Sequence, residues 1–131
     1  MKLTDKNTKD QEPTKAELEI LQVLWEEGPS TVRAVNSKLN EQRELNYTST
    51  LKLMQIMVEK GLLLRDESSM KHIYRPAQEE QKTKGFLLDR FVKTLYKGSP
   101  SSLMMQLLGN QETSREELDA IRNLLKQMDN K

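Results

Sequence analysis

Apolar residues recur at helical spacing along most of this chain and turn strand-like only once. Leu18, Leu21, Leu24 and Trp25, with Ile20 flanking, mark one face of a first helix. It opens on Pro13-Thr14-x-x-Glu17, in which Thr14 can accept from a first-turn amide while Glu17 reaches back to the cap. Gly28-Pro29 stops it. Ser30-Thr31 caps a second helix with Val32, Val35 and Leu39 on its inner side, and Asn40 to Glu44 is a polar link. Asn46 or Thr48 caps a third helix, whose apolar face is Leu51, Met54, Met57 and Val58 and whose end is Gly61, the left-handed residue after a helix. The period then changes. Leu62 to Arg65 and His72 to Arg75 are strand-like, with turn chemistry from Asp66 to Ser69 between them and Pro76 after them.

From Glu79 the helical pattern returns. Phe86, Leu87, Leu88, Phe91, Val92 and Leu95 form a broad stripe on 79–97. After a break at Gly98-Ser99-Pro100, a short helix from Ser101 to Leu108 carries Leu103, Met104, Leu107 and Leu108. Gly109-Asn110 breaks the chain again, and Ser114-x-x-Glu117 opens a last helix with Leu118, Ile121, Leu124, Leu125 and Met128. The expected fold class is mainly α with a small β-hairpin: an N-terminal winged helix-turn-helix followed by C-terminal dimerisation helices. The expected domains are a disordered arm over 1–12, a winged-helix domain over 13–78 and a helical dimerisation region over 79–131. Three helices in about 50 residues present more apolar surface than they can bury among themselves. Phe86, Phe91, Leu95, Leu118, Ile121 and Leu125 are therefore the expected seam with a second copy. The competing expectation is that the same stripe folds back on its own winged helix.

Composition narrows the chemistry. Hydrophobic residues make up 35% of the 131 and charged ones 31%, a balance that suits a modest core under wet helix surfaces. No apolar run nears the roughly 20 residues a membrane helix needs. The opening MKLTDKNTKDQEPTK has no apolar core, so a secretory signal is not expected and a bacterial-type cytoplasm is. The absence of cysteine excludes disulfides and thiolate metal sites, and a single histidine, His72, excludes a histidine-pair site. No phosphate-cradling glycine loop occurs, so no metal and no cofactor are expected, and a small enzyme would lack a convergent acid–base set.

Charge by itself does not favour nucleic acid. In residues 1–78, eight lysines and four arginines are matched by twelve acids. A DNA binder of this composition must gather its positive charge on one face. The third helix offers that face, because from Asn46 through Val58 there is no acid. Asn46, Tyr47, Thr48, Ser49, Lys52 and Gln55 can all donate hydrogen bonds, and in a helix-turn-helix they open the helix that enters the major groove. Read singly, Thr48 and Ser49 are caps and Lys52 is a solvated lysine. Ser30, Thr31 and Arg33 would hold a phosphate at the second helix N-terminus, and Arg65, Lys71 and His72 flank the wing. A winged-helix protein-interaction module without DNA binding is the alternative that near-neutral charge supports.

The stretch from KAELEILQVLWEEGPSTVRAVNSKLN to NYTSTLKLMQIMVEKGLLLRDESSMKHIYRP resembles the penicillinase-repressor family of the BlaI, MecI and CopY type. The shared features are the leucine-rich first helix ending in Leu-Trp, Gly-Pro before the second helix and Tyr-Thr-Ser opening the third. Lys-Gly at the end of the third helix and Tyr-Arg-Pro closing the wing complete the pattern. The resemblance covers about residues 14 to 128. It implies a homodimeric transcriptional repressor on a palindromic operator, with Tyr47, Thr48, Ser49 and Lys52 as recognition contacts. It also implies relief by proteolysis around Met105, Gln106 and Leu107, with a signalling metalloprotease as partner and Gln106-Leu107 as the aligned bond. Three departures stand out: there is no cysteine metal site as in the copper-responsive members, Gln55-Ile56 stands where many members have Asn-Arg, and the aligned bond is not of the Asn-Phe type.

Overall fold

The computed structural model describes residues 12–109 and 113–129. Of the expected arm over 1–12, residues 1–11 lie outside them, as does Asn110 of the Gly109-Asn110 break. Eight elements follow in order: α1 (Lys15–Glu27), α2 (Val32–Leu39), α3 (Tyr47–Glu59), β1 (Leu63–Asp66), β2 (Ile73–Pro76), α4 (Glu80–Leu95), α5 (Pro100–Leu108) and α6 (Arg115–Asp129). The chain divides into two compact units that part between Gly85 and Phe86, inside α4.

In the first unit the starts of α1, α2 and α3 are set by local chemistry. Thr14 and Glu17 close a reciprocal capping box, with Glu17 N donating to Thr14 Oγ1 at 3.2 Å and Thr14 N to Glu17 Oε1 at 2.9 Å. Thr31 alone caps α2, accepting from Ala34 N at 3.1 Å. Ser30 does not share that role. Its hydroxyl donates to Gly28 O, and its backbone pairs with Tyr74 through bonds of 3.0 and 2.8 Å. Asn46, not Thr48, caps α3. Gly61, at φ 83°, turns the chain so that Leu62 N reaches back to Met57 O.

The hairpin sits one residue later than the pattern suggested. Leu63 pairs with Pro76, Leu64 with Arg75, Arg65 with Tyr74 and Asp66 with Ile73. Leu62 serves as the joint after α3, its carbonyl accepting from Ala77 N at 2.9 Å. His72 consequently belongs to the loop. Pro76 is tolerated at the strand end, where its missing N–H breaks no inner ladder bond.

The core is built by α1, α2, α3 and both strands. Ile20, Val35, Met54 and Met57 are fully buried, with Leu21, Leu24, Leu63 and Tyr74 nearly so. Each such side chain stabilises the fold by about 1.5–3 kcal/mol through removal from water. Ile20 is thus a centre of the α1 face and not its flank, and Val23 is buried while Leu18 and Trp25 are only partly so. Leu51 and Val58 are likewise partly buried, while Thr50, polar and overlooked by the apolar pattern, has no exposed surface. At the start of α4, the Lys84 ammonium lies 5.5 Å above the Trp25 ring.

In the second unit Val92 is the one buried hydrophobic residue among the described positions. Lys97 and Gly98, both at positive φ, end α4, and Gly98 N donates to Val92 O at 3.0 Å. Ser99 caps α5 and Pro100 takes its first turn, so the expected break supplies the helix start. Gly109 ends α5 at φ −83°, without a left-handed turn. Ser114 and Glu117 close the second capping box at 3.0 and 3.1 Å.

Candidate nucleic-acid interface

The outer face of α3 carries Tyr47, Thr48, Ser49, Lys52, Gln55 and Ile56, all exposed. Thr48, Lys52 and Gln55 stand at i, i+4 and i+7 and form one stripe, while Thr50, Met54 and Met57 point to the core. Burial of the inner face therefore presents the polar stripe to solvent. Asn46 has part of its side chain committed, since Oδ1 accepts from Ser49 N at 2.8 Å.

Beside this stripe lies a cleft of about 520 Å3 between the start of α2, the start of α3 and the wing loop. Thr31, Arg33, Tyr47, Lys71 and His72 line it together with Met70 and Tyr74. None of its lining residues is acidic. The Arg33 guanidinium lies 5.1 Å from the centre of the Tyr47 ring, which holds it in place without neutralising it. The α2 N-terminus adds free amides and the positive end of the helix dipole. The cleft thus brings the cationic side chains of Arg33 and Lys71 together beside the outer face of α3.

The two wing carboxylates lie outside the cleft lining, and each has a local partner. Glu67 Oε2 holds Arg65 Nε at 2.7 Å. Asp66 Oδ1 accepts from Ser68 N at 2.9 Å. Hydrogen bonds from the Ser68 amide and hydroxyl hold the Asp66 carboxyl below the usual range, helped by the charge of Arg75. Arg65 is raised, first through its hydrogen bond with Tyr74 and then through Glu67. Arg65 is thereby tied to the wing's own acid and does not line the cleft, and Ser30 is engaged by Gly28 and Tyr74.

Sequence reasoning missed Met70, a fully exposed thioether on the wing loop and a wall of the cleft. Its only signal was an apolar residue amid Ser-Ser and Lys. It also missed the polar contacts that hold α3: Asn36 and Asn40 below its start, and Glu17 with Lys60 at its end. Of the expected seam, Phe86, Phe91, Leu95 and Leu125 are exposed and Leu118 and Ile121 half-buried. Gln106 and Leu107 are both exposed on α5.

Three helices, a hairpin and a polar third helix beside a basic cleft define a winged helix-turn-helix protein. The fold agrees with the solution structure of the homodimeric winged helix-turn-helix DNA-binding domain Mb0332 from Mycobacterium bovis, at a TM-score of 0.51 and 22% identity over 72% of this chain and 83% of that one. The penicillinase repressor model matches residues 13–127, and the chain belongs to that family. Relatives include the methicillin resistance regulatory protein MecI of Mammaliicoccus sciuri, 23% identical over 91% of this chain and 97% of its own length. The transcriptional regulator BlaI of Mycobacterium tuberculosis is 25% identical over 84% of this chain and 80% of its own. The penicillinase repressor of Bacillus licheniformis is 22% identical over 88% and 91%.

Proposed function

We propose that this chain is a sequence-specific DNA-binding transcriptional repressor that acts as a homodimer on a palindromic operator, in the cytoplasm and without catalytic activity of its own. The observation that carries the reading is the acid-free outer face of α3 beside a cleft walled by Arg33, Lys71 and His72. Thr48, Ser49, Lys52 and Gln55 meet base edges or nearby phosphates, with Tyr47 and Asn46 at the helix start, and Thr31, Arg33, Lys71 and His72 hold the backbone. Residues 13–78 are the DNA-binding domain and 79–131 the dimerisation region. There Phe86, Phe91, Leu95, Leu118, Ile121 and Leu125 meet a second copy. Gln106 and Leu107 lie on a nine-residue helix with no buried residue, and a helix that short depends on packing for its stability. Cleavage there by a signalling metalloprotease would detach α6 and weaken the dimer.

Selection of bound duplexes from a random pool tests the reading, because it returns the site, its symmetry and its half-site spacing together. A folded Thr48/Ser49/Lys52 triple alanine variant should lose affinity for the best duplex. Unchanged affinity would mean that α3 does not enter the groove. Ultracentrifugation at micromolar concentration tests the dimer, and a clean 15 kDa species overturns it. A chain cut at 106–107 that dimerises and binds like the intact one removes the proteolytic switch.

A further inference from the structure

Below the start of α3 is a polar cluster that the apolar pattern does not anticipate. Asn36, on α2, donates through Nδ2 to Leu45 O at 3.0 Å and to Thr50 Oγ1 at 2.8 Å. Asn40, at the α2 C-cap, clamps the backbone of Leu45 from both sides. Its Oδ1 accepts from Leu45 N at 3.0 Å and its Nδ2 donates to Leu45 O at 2.8 Å. The two asparagines are themselves joined, Asn40 Nδ2 reaching Asn36 O at 2.7 Å and Oδ1 at 3.2 Å. Thr50 is fully buried, so its hydroxyl depends on Asn36 Nδ2, from which it accepts, and on Asn46 O, 3.5 Å away.

We propose that the Asn36–Asn40–Thr50 cluster is a positioning device for sequence readout, locking the rotation and tilt of the first turn of α3 against α2. The inference rests on the DNA-binding reading above. None of the three side chains belongs to the outer stripe of α3, so they act through Tyr47, Thr48 and Ser49. Base-edge hydrogen bonds tolerate only a few tenths of an ångström and weaken steeply with angle, whereas attraction to a phosphate falls off slowly with distance. A first turn free to shift would therefore keep general DNA affinity and lose discrimination. Asparagine is a poor interior helix residue, and Asn36, inside α2, is accounted for by what it holds.

The test uses the full chain, the best duplex selected by the wild type and a random duplex of equal length. Thr50→Val keeps the shape and removes the hydroxyl, while Asn40→Ala changes an exposed residue and so leaves the core intact. Both should lower the ratio of specific to random affinity by about tenfold or more, with the slope of log affinity against log salt unchanged. Thr50→Ser, which restores the hydroxyl, should return the ratio to the wild-type value. Should Thr50→Val fail to fold, Asn40→Ala decides alone. A folded variant that keeps the ratio, or loses affinity equally for both duplexes, overturns the proposal. If the wild type itself binds neither duplex, the DNA-binding reading falls and this inference with it.

Discussion

Lys60→Met should destabilise the protein more than Glu17→Gln, although both remove the same ion pair. Glu17 is 2% exposed, and Lys60 Nζ lies 2.8 and 3.0 Å from its two oxygens. The remaining partner of the carboxylate is Thr14 N, within its own capping box. At 2.8 Å and an effective dielectric constant of about 20, the attraction is roughly 6 kcal/mol before desolvation is subtracted. Removing the ammonium leaves a buried carboxylate with one amide donor. Breaking such a pair costs about 3–5 kcal/mol, and the 25% exposure of the Lys60 side chain admits water and places this case near 3. Gln at position 17 still accepts from Thr14 N, and the freed ammonium can turn to solvent, so that change costs about 1 kcal/mol. The double variant, without a buried charge, should resemble Glu17→Gln, which makes the coupling about 3 kcal/mol. Urea unfolding of the four proteins at neutral pH measures it, provided the m-value is constant. A coupling below about 0.5 kcal/mol, as for exposed pairs, would refute the reasoning.

Gly28→Ala should cost about 1–3 kcal/mol by thermal melting. An added Cβ meets nothing within 4 Å, so the whole penalty is backbone strain at φ 84° and ψ −176°. Arg33→Gln should flatten the dependence of log DNA affinity on log salt by about 1 per protomer, as loss of one phosphate contact requires. On acidification, Asp66 should release the wing turn. Its folded pKa is depressed, so its contribution is complete above the unfolded value of about 3.9 and is lost as pH falls through the lower folded value. The protection factor of the Ser68 amide, its exchange rate compared with the intrinsic rate at the same pH, should fall across that window, and Asp66→Asn should remove that change.

Features that depend on residues close in the chain were legible from the sequence. Both capping boxes form as Thr14-x-x-Glu17 and Ser114-x-x-Glu117 imply, because their bonds close within one turn. Gly61 takes the left-handed turn, and the outer stripe of α3 follows from a helical period with Met54 and Met57 inside. The order of three helices and a hairpin needs no more than that. The tertiary structure decided what depends on neighbours distant in the chain. α1 is covered by α2, α3 and β2, so Ile20 and Val23 join its buried face and the stripe turns away from Leu18 and Trp25. Both strands begin one residue later than the pattern suggested, with Leu62 taken up as the joint after α3, and Ser30 was drawn from the cap into a bridge with Tyr74. The cleft joins Arg33 to Lys71 and His72, nearly forty residues away, while Glu67 withdraws Arg65 from it. Asn36 with Thr50 and Glu17 with Lys60 carry no periodic signal, since a buried polar pair is specified by the partner it meets after folding and by its need for one out of water.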